Sequence, residues 1–301
     1  MEPVPREAPV PREALTFIGV QQHDEQPVHK GTATRKNSGI LLPVAPCPTP
    51  RIRVRVSRMK RWRPSKSIAI KLTTLLFSMS PFAQAQEGVI LLHGLARTHR
   101  SMQPLARTLE SEGYRVANVD YPSRTAPIEI LATDAITTAL AHESLRDCTR
   151  LHFVTHSLGG ILVRFHLARH RVPHLGRVVM LGPPNQGSEV VDHLKDWRLF
   201  HSINGPAGQQ LGTGPLDPPH TLGPVDFELG VIAGNRSINW INSLMIPGPD
   251  DGKVSVERTR VEGMKEHLVL PVTHPLMMRD QRVIQATLRF LQHGTFQPAS
   301  S

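Results

Sequence analysis

From residue 89 onwards, short apolar runs alternate with stretches in which apolar residues recur every three or four positions. The short runs predict buried strands near 89–92, 114–119, 151–154, 177–181, 227–233 and 267–272. The periodic stretches predict helices over 101–112, 126–146, 161–168 and 275–293, with Leu276 expected to face inward in the last one. This alternation indicates an α/β fold, a mostly parallel sheet flanked by helices on both faces.

We expect a single domain over residues 86–301. The stretch 188–226 departs from the alternation, because it is long, irregular and rich in Gly and Pro. It predicts a cap over a pocket, or one wall of that pocket. In a parallel sheet, the functional groups are expected at the carboxyl ends of the strands.

Residues 1–85 have a different composition. Residues 1–58 are rich in proline and contain a perfect tandem repeat over 3–14, so we expect them to be disordered or to reflect a gene start placed too far upstream. Residues 59–85 combine a basic start, an apolar run over 72–82 and the small-x-small end Ala83-Gln84-Ala85. This order is typical of a secretory signal peptide and predicts export to the periplasm or the medium.

The formal net charge of +10 suggests a nucleic-acid partner, but its distribution argues against one. Residues 1–85 hold 14 of the 35 basic and 5 of the 25 acidic residues, a net charge of +9. Residues 86–301 therefore carry a net charge of +1, with no general cationic excess to attract phosphate. We expect no nucleic-acid partner.

The segment Thr155-His156-Ser157-Leu158-Gly159-Gly160 lies between a predicted strand and a predicted helix. A serine in this position is typical of a nucleophile elbow, where a sharp turn exposes the hydroxyl at the sheet edge. Thr155 stands where glycine is usual. The candidate nucleophile is Ser157, and the alternative is an ordinary strand-to-helix turn.

A serine nucleophile requires oxyanion donors, a base and an acid that orients the base. His93-Gly94-Leu95 follows the first strand, so the N–H of Leu95 is one candidate donor and the N–H of Leu158 is the other.

His274 is the candidate base, since it follows the last strand at the carboxyl edge. His267 opens that strand at the opposite edge, and His156 and His293 are interpreted as surface or core residues. Asp251 is the candidate acid and Asp250 its rival, both between the elbow and His274 in the chain order Ser…Asp…His.

Together these segments resemble the α/β-hydrolase superfamily, in particular bacterial esterase- and lipase-like proteins, over nearly all of 86–301. The stretch Asp251-Gly252-Lys253-Val254 is similar to a motif of secreted bacterial lipases, where the aspartate is the triad acid, and this similarity favours Asp251. Leu276 stands where those lipases often hold a calcium ligand, so the resemblance supports no calcium site.

The resemblance implies an α/β-hydrolase fold and a serine hydrolase that cleaves carboxylic esters through an acyl-enzyme. The expected partner is a small-molecule or lipid ester, with transient contact at a lipid surface as a further option. No metal-ligand cluster or phosphate-binding loop is recognisable, so we expect no cofactor. An acyltransferase, a thioesterase, an amidase or a non-catalytic binding protein of the same fold remains an alternative.

Overall fold

A six-stranded parallel sheet forms the centre of the protein, described here from a computed structural model over residues 86–298. The expected leader 1–58 and signal peptide 59–85 lie outside the described residues. The strands are β1 Glu87–Leu92, β2 Arg115–Val119, β3 Arg150–His156, β4 Leu175–Leu181, β5 Leu229–Gly234 and β6 Glu266–Leu270.

The strand order is β2-β1-β3-β4-β5-β6, and each neighbouring pair is parallel. The prediction of a mostly parallel sheet is confirmed. All six carboxyl ends therefore meet at one edge, where loops from different parts of the chain come together.

Helices cover both faces of the sheet, because successive strand residues point to opposite sides. Ile90 and Leu92 pack in a core that includes residues of helices α2 and α3, whereas Val89 and Leu91 pack in a second core that includes residues of α1 and α8. In chain order the helices are α1 Gln103–Ser111, α2 Ile128–Leu140, α3 Leu158–Leu167, α4 Glu189–Leu194, α5 Arg198–Gln209, α6 Pro218–Thr221, α7 Trp240–Ser243 and α8 Gln281–His293. None of the helices within 86–298 is long and apolar enough to cross a membrane.

The stretch 188–226 is more regular than its composition predicts, since it contains α4, α5 and α6. Helix α5 is interrupted at Gly205, which has a φ of 64° and precedes a proline. These helices are short and separated by turns, so a 3.6-residue periodicity has no length over which to develop.

A buried arginine in α3 fixes the loops around this stretch. The guanidinium of Arg164 donates hydrogen bonds to the main-chain oxygens of Asn185 (2.8 Å), Pro219 (3.3 Å) and Gly223 (2.7 Å). Burial lowers the pKa of Arg164 to about 10. Backbone carbonyls from the loop after β4, from α6 and from the turn after α6 thus replace the carboxylate that usually accompanies a buried arginine.

The closing helix begins later than predicted. Residues His274–Arg279 form a 3-10 helix, and Asp280 then adopts an extended conformation that ends it. The Asp280 carboxylate accepts a hydrogen bond from the N–H of Arg282 and so caps α8. The expectation that Leu276 faces inward is wrong, since it lies before this break and is exposed.

Candidate active site

Ser157 occupies a sharp turn between β3 and α3. Its backbone angles are φ 51° and ψ −119°, a positive-φ conformation that costs a non-glycine residue about 1 to 3 kcal/mol. The turn is held by hydrogen bonds from the N–H of Ser157 to the oxygen of Leu181 and from the N–H of Gly160 to the oxygen of Ser157, both 2.9 Å. Such a strained strand-to-helix turn is the geometry of a nucleophile elbow.

Small residues allow the elbow to pack against the sheet. A methyl group at Gly159 would lie 2.7 Å from the main-chain oxygen of Leu92 on the neighbouring strand. A methyl group at Gly160 would lie 3.3 Å from the hydroxyl oxygen of Thr155. Thr155 stands where nucleophile elbows usually have glycine. Because Gly160 has no side chain, there is room beside it for the hydroxyl of Thr155.

His274 and Asp251 form a buried pair at the same edge of the sheet. His274 Nδ1 lies 2.7 Å from Asp251 Oδ2, and the side chain of Asp251 is fully buried. The N–H of His274 also donates to the main-chain oxygen of Asp251, at 2.9 Å. The imidazole is thus oriented both through its ring and through its backbone.

The two neighbouring aspartates have different partners. Asp251 Oδ1 accepts hydrogen bonds from the N–H groups of Lys253 and Val254, at 3.0 and 2.9 Å. Asp250 Oδ1 instead accepts from the N–H of Gly252 and the hydroxyl of Ser243, at 2.6 and 2.8 Å. Asp250 therefore shapes the loop, while Asp251 reaches the imidazole.

The sequence predicts only a surface or core position for His156. In the structure His156 is buried and lies next to His274. Its Nε2 lies 3.0 Å from the main-chain oxygen of His274, and the two ring centroids are 4.7 Å apart. Because a carbonyl oxygen only accepts, Nε2 must carry the proton. Burial lowers the pKa of His156 well below its ordinary value, and the nearby His274 lowers it further, so a neutral ring donates to the His274 backbone.

Gly182, at the end of β4, has a contact that sequence reasoning missed. A methyl group there would lie 3.0 Å from Asp251 Oδ2 and 3.1 Å from His274 Nδ1. Its φ is 54°. The only signal in the sequence is a glycine directly after a predicted strand, and the pair it accommodates comes some seventy residues later.

The loop after β1 is fixed by a stacked pair of rings. His93 is fully buried, and its ring lies 4.1 Å from the ring of Tyr121 between centroids. The Tyr121 hydroxyl donates to the main-chain oxygen of His93 at 2.6 Å. Within residues 86–298, the N–H groups of Leu95 and Leu158 donate no hydrogen bond to another protein group.

A cavity of about 430 Å³ joins these groups at the carboxyl edge of the sheet. Ser157, His274, Asp251 and Leu95 all line it. The hydrogen bonds of the described residues do not include one between Ser157 Oγ and His274; such contacts often tighten only when substrate binds. The apolar part of its wall is formed by Pro184, Val190, Val191, Phe200, Ile203, Leu211, Ile238 and Val254.

The segment 188–226 supplies Val190, Val191, Phe200, Ile203 and Leu211 to this wall. No cluster of three or more His, Cys, Asp or Glu residues suited to a metal ion occurs in the part of the chain that the structure describes.

The groups that line the cavity can place a hydroxyl, an imidazole–carboxylate pair and two backbone N–H groups around one reacting atom. It offers the parts needed for acyl transfer through serine.

The solved structures that resemble the chain include two of a lipase from Bacillus licheniformis, BlEst2. Its mature form has a TM-score of 0.56 and 19% identity, over 70% of this chain and 93% of that one. Its propeptide form has a TM-score of 0.56 and 18% identity, over 72% of this chain and 52% of that one. The chain thus spans about half the length of the propeptide form. At this identity the likeness concerns the fold alone.

No curated protein matches the sequence. A family model described as "Alpha/beta hydrolase family" matches residues 89–286. That range is about two-thirds of the chain and holds every strand from β1 to β6 except the first two residues of β1, together with the elbow and the buried Asp–His pair. The chain therefore belongs to the alpha/beta hydrolase family.

Proposed function

We propose that the protein is a serine hydrolase that cleaves carboxylic esters through a Ser157–His274–Asp251 triad. The observation that carries the proposal is the fully buried Asp251 carboxylate, 2.7 Å from His274 Nδ1, in a cavity that Ser157 also lines. An isolated buried carboxylate is costly, and one that accepts from an imidazole can hold the base in the required tautomer. The similar fold of a Bacillus lipase agrees with the proposal.

The proposed reaction has two steps. His274 Nε2 takes the proton of Ser157 as the serine oxygen attacks the ester carbonyl, and the imidazolium then gives that proton to the leaving alcohol. The N–H groups of Leu95 and Leu158 hold the oxyanion, each contributing about 3 kcal/mol of transition-state stabilisation. Water repeats the sequence on the acyl-enzyme and releases the acid.

Most side chains of the cavity wall are aliphatic or aromatic, which favours binding of an apolar acyl group of the ester. Segments that line the cavity also carry exposed large apolar residues. Ile203 and Ile238 line the cavity themselves, and the others lie close to lining residues in the sequence: Trp197, Leu199, Trp240, Ile241, Leu244 and Leu276. Exposed apolar groups on segments that also line a cavity favour contact with a lipid surface. We therefore include lipid esters among the proposed substrates.

We also propose that the protein is exported and that residues 59–85 are removed on the way. Strand β1 begins at Glu87, so cleavage after Ala85 would leave the sheet intact. Amino-terminal analysis of exported protein should give a chain that starts at Gln86. A mature protein that still contains residues 59–85 would contradict this.

Fluorophosphonate labelling of the purified protein tests the catalytic proposal directly, because the reagent reacts with activated serines. We expect one adduct on the parent, located at Ser157 by peptide mass spectrometry, and none on Ser157→Ala. Ser157→Ala should also lose hydrolysis of 4-nitrophenyl butyrate. A folded parent that takes no adduct and cleaves no ester would refute the proposal and favour a binding protein of the same fold.

A further inference from the structure

Two cationic side chains line the cavity beside the reacting groups. Arg97 lies two residues after Leu95, and Lys253 lies two residues after Asp251. Both side chains are exposed, and within residues 86–298 neither forms an ion pair or a side-chain hydrogen bond. The esterase mechanism proposed above assigns no role to either.

The backbone around both cations is fixed by the loops that carry the proposed triad and oxyanion donors. The N–H of Arg97 donates to the oxygen of Gly94 at 3.2 Å, and the preceding N–H donates to Ser123 Oγ at 3.0 Å. The carbonyl of Lys253 accepts from Ser188 Oγ at 2.7 Å. The backbone from which each side chain extends is therefore fixed beside the cavity that Ser157 also lines.

The two cations are close enough to influence each other. Although the residue as a whole is exposed, partial burial of its ammonium group lowers the pKa of Lys253; Asp251 opposes the shift and Arg97 adds to it. The positive charge of Arg97 also helps to lower the pKa of His156. Like charges placed together at a concave surface create a strong local attraction for anions.

Acidic residues near the cavity are already engaged. Asp251 is paired with His274, Glu189 with Arg258, and Asp192 accepts from the N–H and hydroxyl of Thr213. Two shallow hollows that also involve Arg97 add three more basic side chains, Arg100, Arg124 and Arg279, against the single carboxylate of Asp120. Since residues 86–301 carry a net charge of only +1, this concentration is local.

We propose that Arg97 and Lys253 form an anion-binding subsite beside Ser157, and that the preferred substrates are esters carrying a phosphate or carboxylate group close to the ester bond. The inference rests on the proposed esterase function and narrows it. The apolar wall takes the acyl chain and the two cations take the anionic group. Arginine binds both anions through its planar pair of donors, and lysine adds a point charge.

Two matched pairs of dissolved substrates test the subsite. The first is 1-octanoylglycerol against 1-octanoylglycerol 3-phosphate, which places phosphate on the alcohol side. The second is the methyl 4-nitrophenyl diester of glutaric acid against 4-nitrophenyl hydrogen glutarate, which places a carboxylate on the acyl side. Both are used below the concentration at which they form micelles, so a preference cannot come from binding to an aggregate; vesicles containing an anionic lipid form a separate arm.

We expect the anionic member of at least one pair to have a kcat/KM about tenfold higher than its neutral partner. The preference should fall toward one in the double variant Arg97→Gln/Lys253→Gln and on adding salt, which screens exposed charges. It should persist in Arg97→Lys/Lys253→Arg, which keeps both charges. Arg107→Gln/Arg115→Gln removes two exposed charges that do not line the cavity and should leave the ratio unchanged.

Equal kcat/KM values within both pairs would overturn the subsite, and so would a preference that survives Arg97→Gln/Lys253→Gln. A preference seen only with vesicles would also overturn it, since that result assigns the cations to lipid-surface binding. Labelling of Ser157 and turnover of the neutral esters are measured on the same parent preparation. If these succeed and the preference is absent, only the subsite fails; if they fail, the esterase proposal fails with it.

Discussion

Replacing Asp251 with asparagine should abolish activity while leaving the fold in place. Asp251 Oδ1 accepts two backbone hydrogen bonds, from Lys253 and Val254, and its Oδ2 faces His274. Asparagine can keep both backbone bonds only if its oxygen stays at the Oδ1 position. Its amide nitrogen then takes the place of Oδ2 and presents a donor to His274 Nδ1.

The opposite orientation of the asparagine is the less stable one. It would leave the N–H groups of Lys253 and Val254 facing an NH₂ group, and an unsatisfied buried donor such as that of Val254 costs about 1 to 3 kcal/mol. His274 must therefore place its proton on Nε2, where it can no longer accept one from Ser157. In serine enzymes this tautomer lowers kcat by about 10⁴, which corresponds to about 5 kcal/mol.

The assay compares kcat for 4-nitrophenyl butyrate and the rate of fluorophosphonate labelling at Ser157, with thermal unfolding to confirm the fold. Asp250→Asn is the matched control, since an asparagine oxygen can still accept from Gly252 and Ser243. We expect its kcat to stay within about fivefold of the parent. A folded Asp251→Asn that retains more than a tenth of the parental kcat, or an equal loss in Asp250→Asn, would refute the tautomer argument.

Three further predictions concern stability. Burial, aided by Arg260, lowers the pKa of His267 to about 4. As the pH falls from about 6.5 toward 4, the unfolded state therefore binds a proton at this residue that the native state does not, and the native state loses stability. Urea unfolding at pH 7 and 5 should therefore show the parent losing about 2 kcal/mol more than His267→Gln; equal losses would contradict this. Arg164→Met should cost about 3 kcal/mol in the same assay, because three backbone carbonyls lose their donor, and a loss below 1 kcal/mol would contradict this. Gly159→Ala should cost about 1 to 3 kcal/mol by thermal unfolding, since its methyl would lie 2.7 Å from the oxygen of Leu92, and an unchanged midpoint would refute this close packing.

The fold could be predicted from the sequence because its signals are local and repeated. Apolar runs such as 89–92 are short, and parallel strands buried on both faces are apolar throughout, so the strand positions are recognisable without tertiary information. Helix α8 was harder to delimit. Its apolar periodicity continues backwards through Leu276, and only the cap at Asp280 determines where the helix begins.

The candidate site could be predicted in part, for a related reason. Ser157 is identified by a strand–turn–helix context within one segment, and His274 and Asp251 by their order along the chain. The choice between Asp250 and Asp251 depends on which carboxylate points to the imidazole. The two residues are chemically identical neighbours, and only the direction of each side chain in the fold separates them. The hydrogen bond from His156 to the His274 backbone joins residues 118 positions apart, and no local signal in the sequence predicts it.

Chemistry and specificity therefore differ in how far the sequence reveals them. Acyl transfer needs particular residue types at strand ends, and those constraints leave motifs around Ser157, Asp251 and His274. Binding an anion needs only that two cations face one cavity, which any loop can supply. Arg97 and Lys253 are indistinguishable in the sequence from ordinary solvated charges, since each lies in a polar loop beside a glycine or alanine. Their meeting at one cavity depends on a parallel sheet that brings the loops after β1 and β5 to one edge, so the proposed preference for anionic esters follows from the fold as a whole.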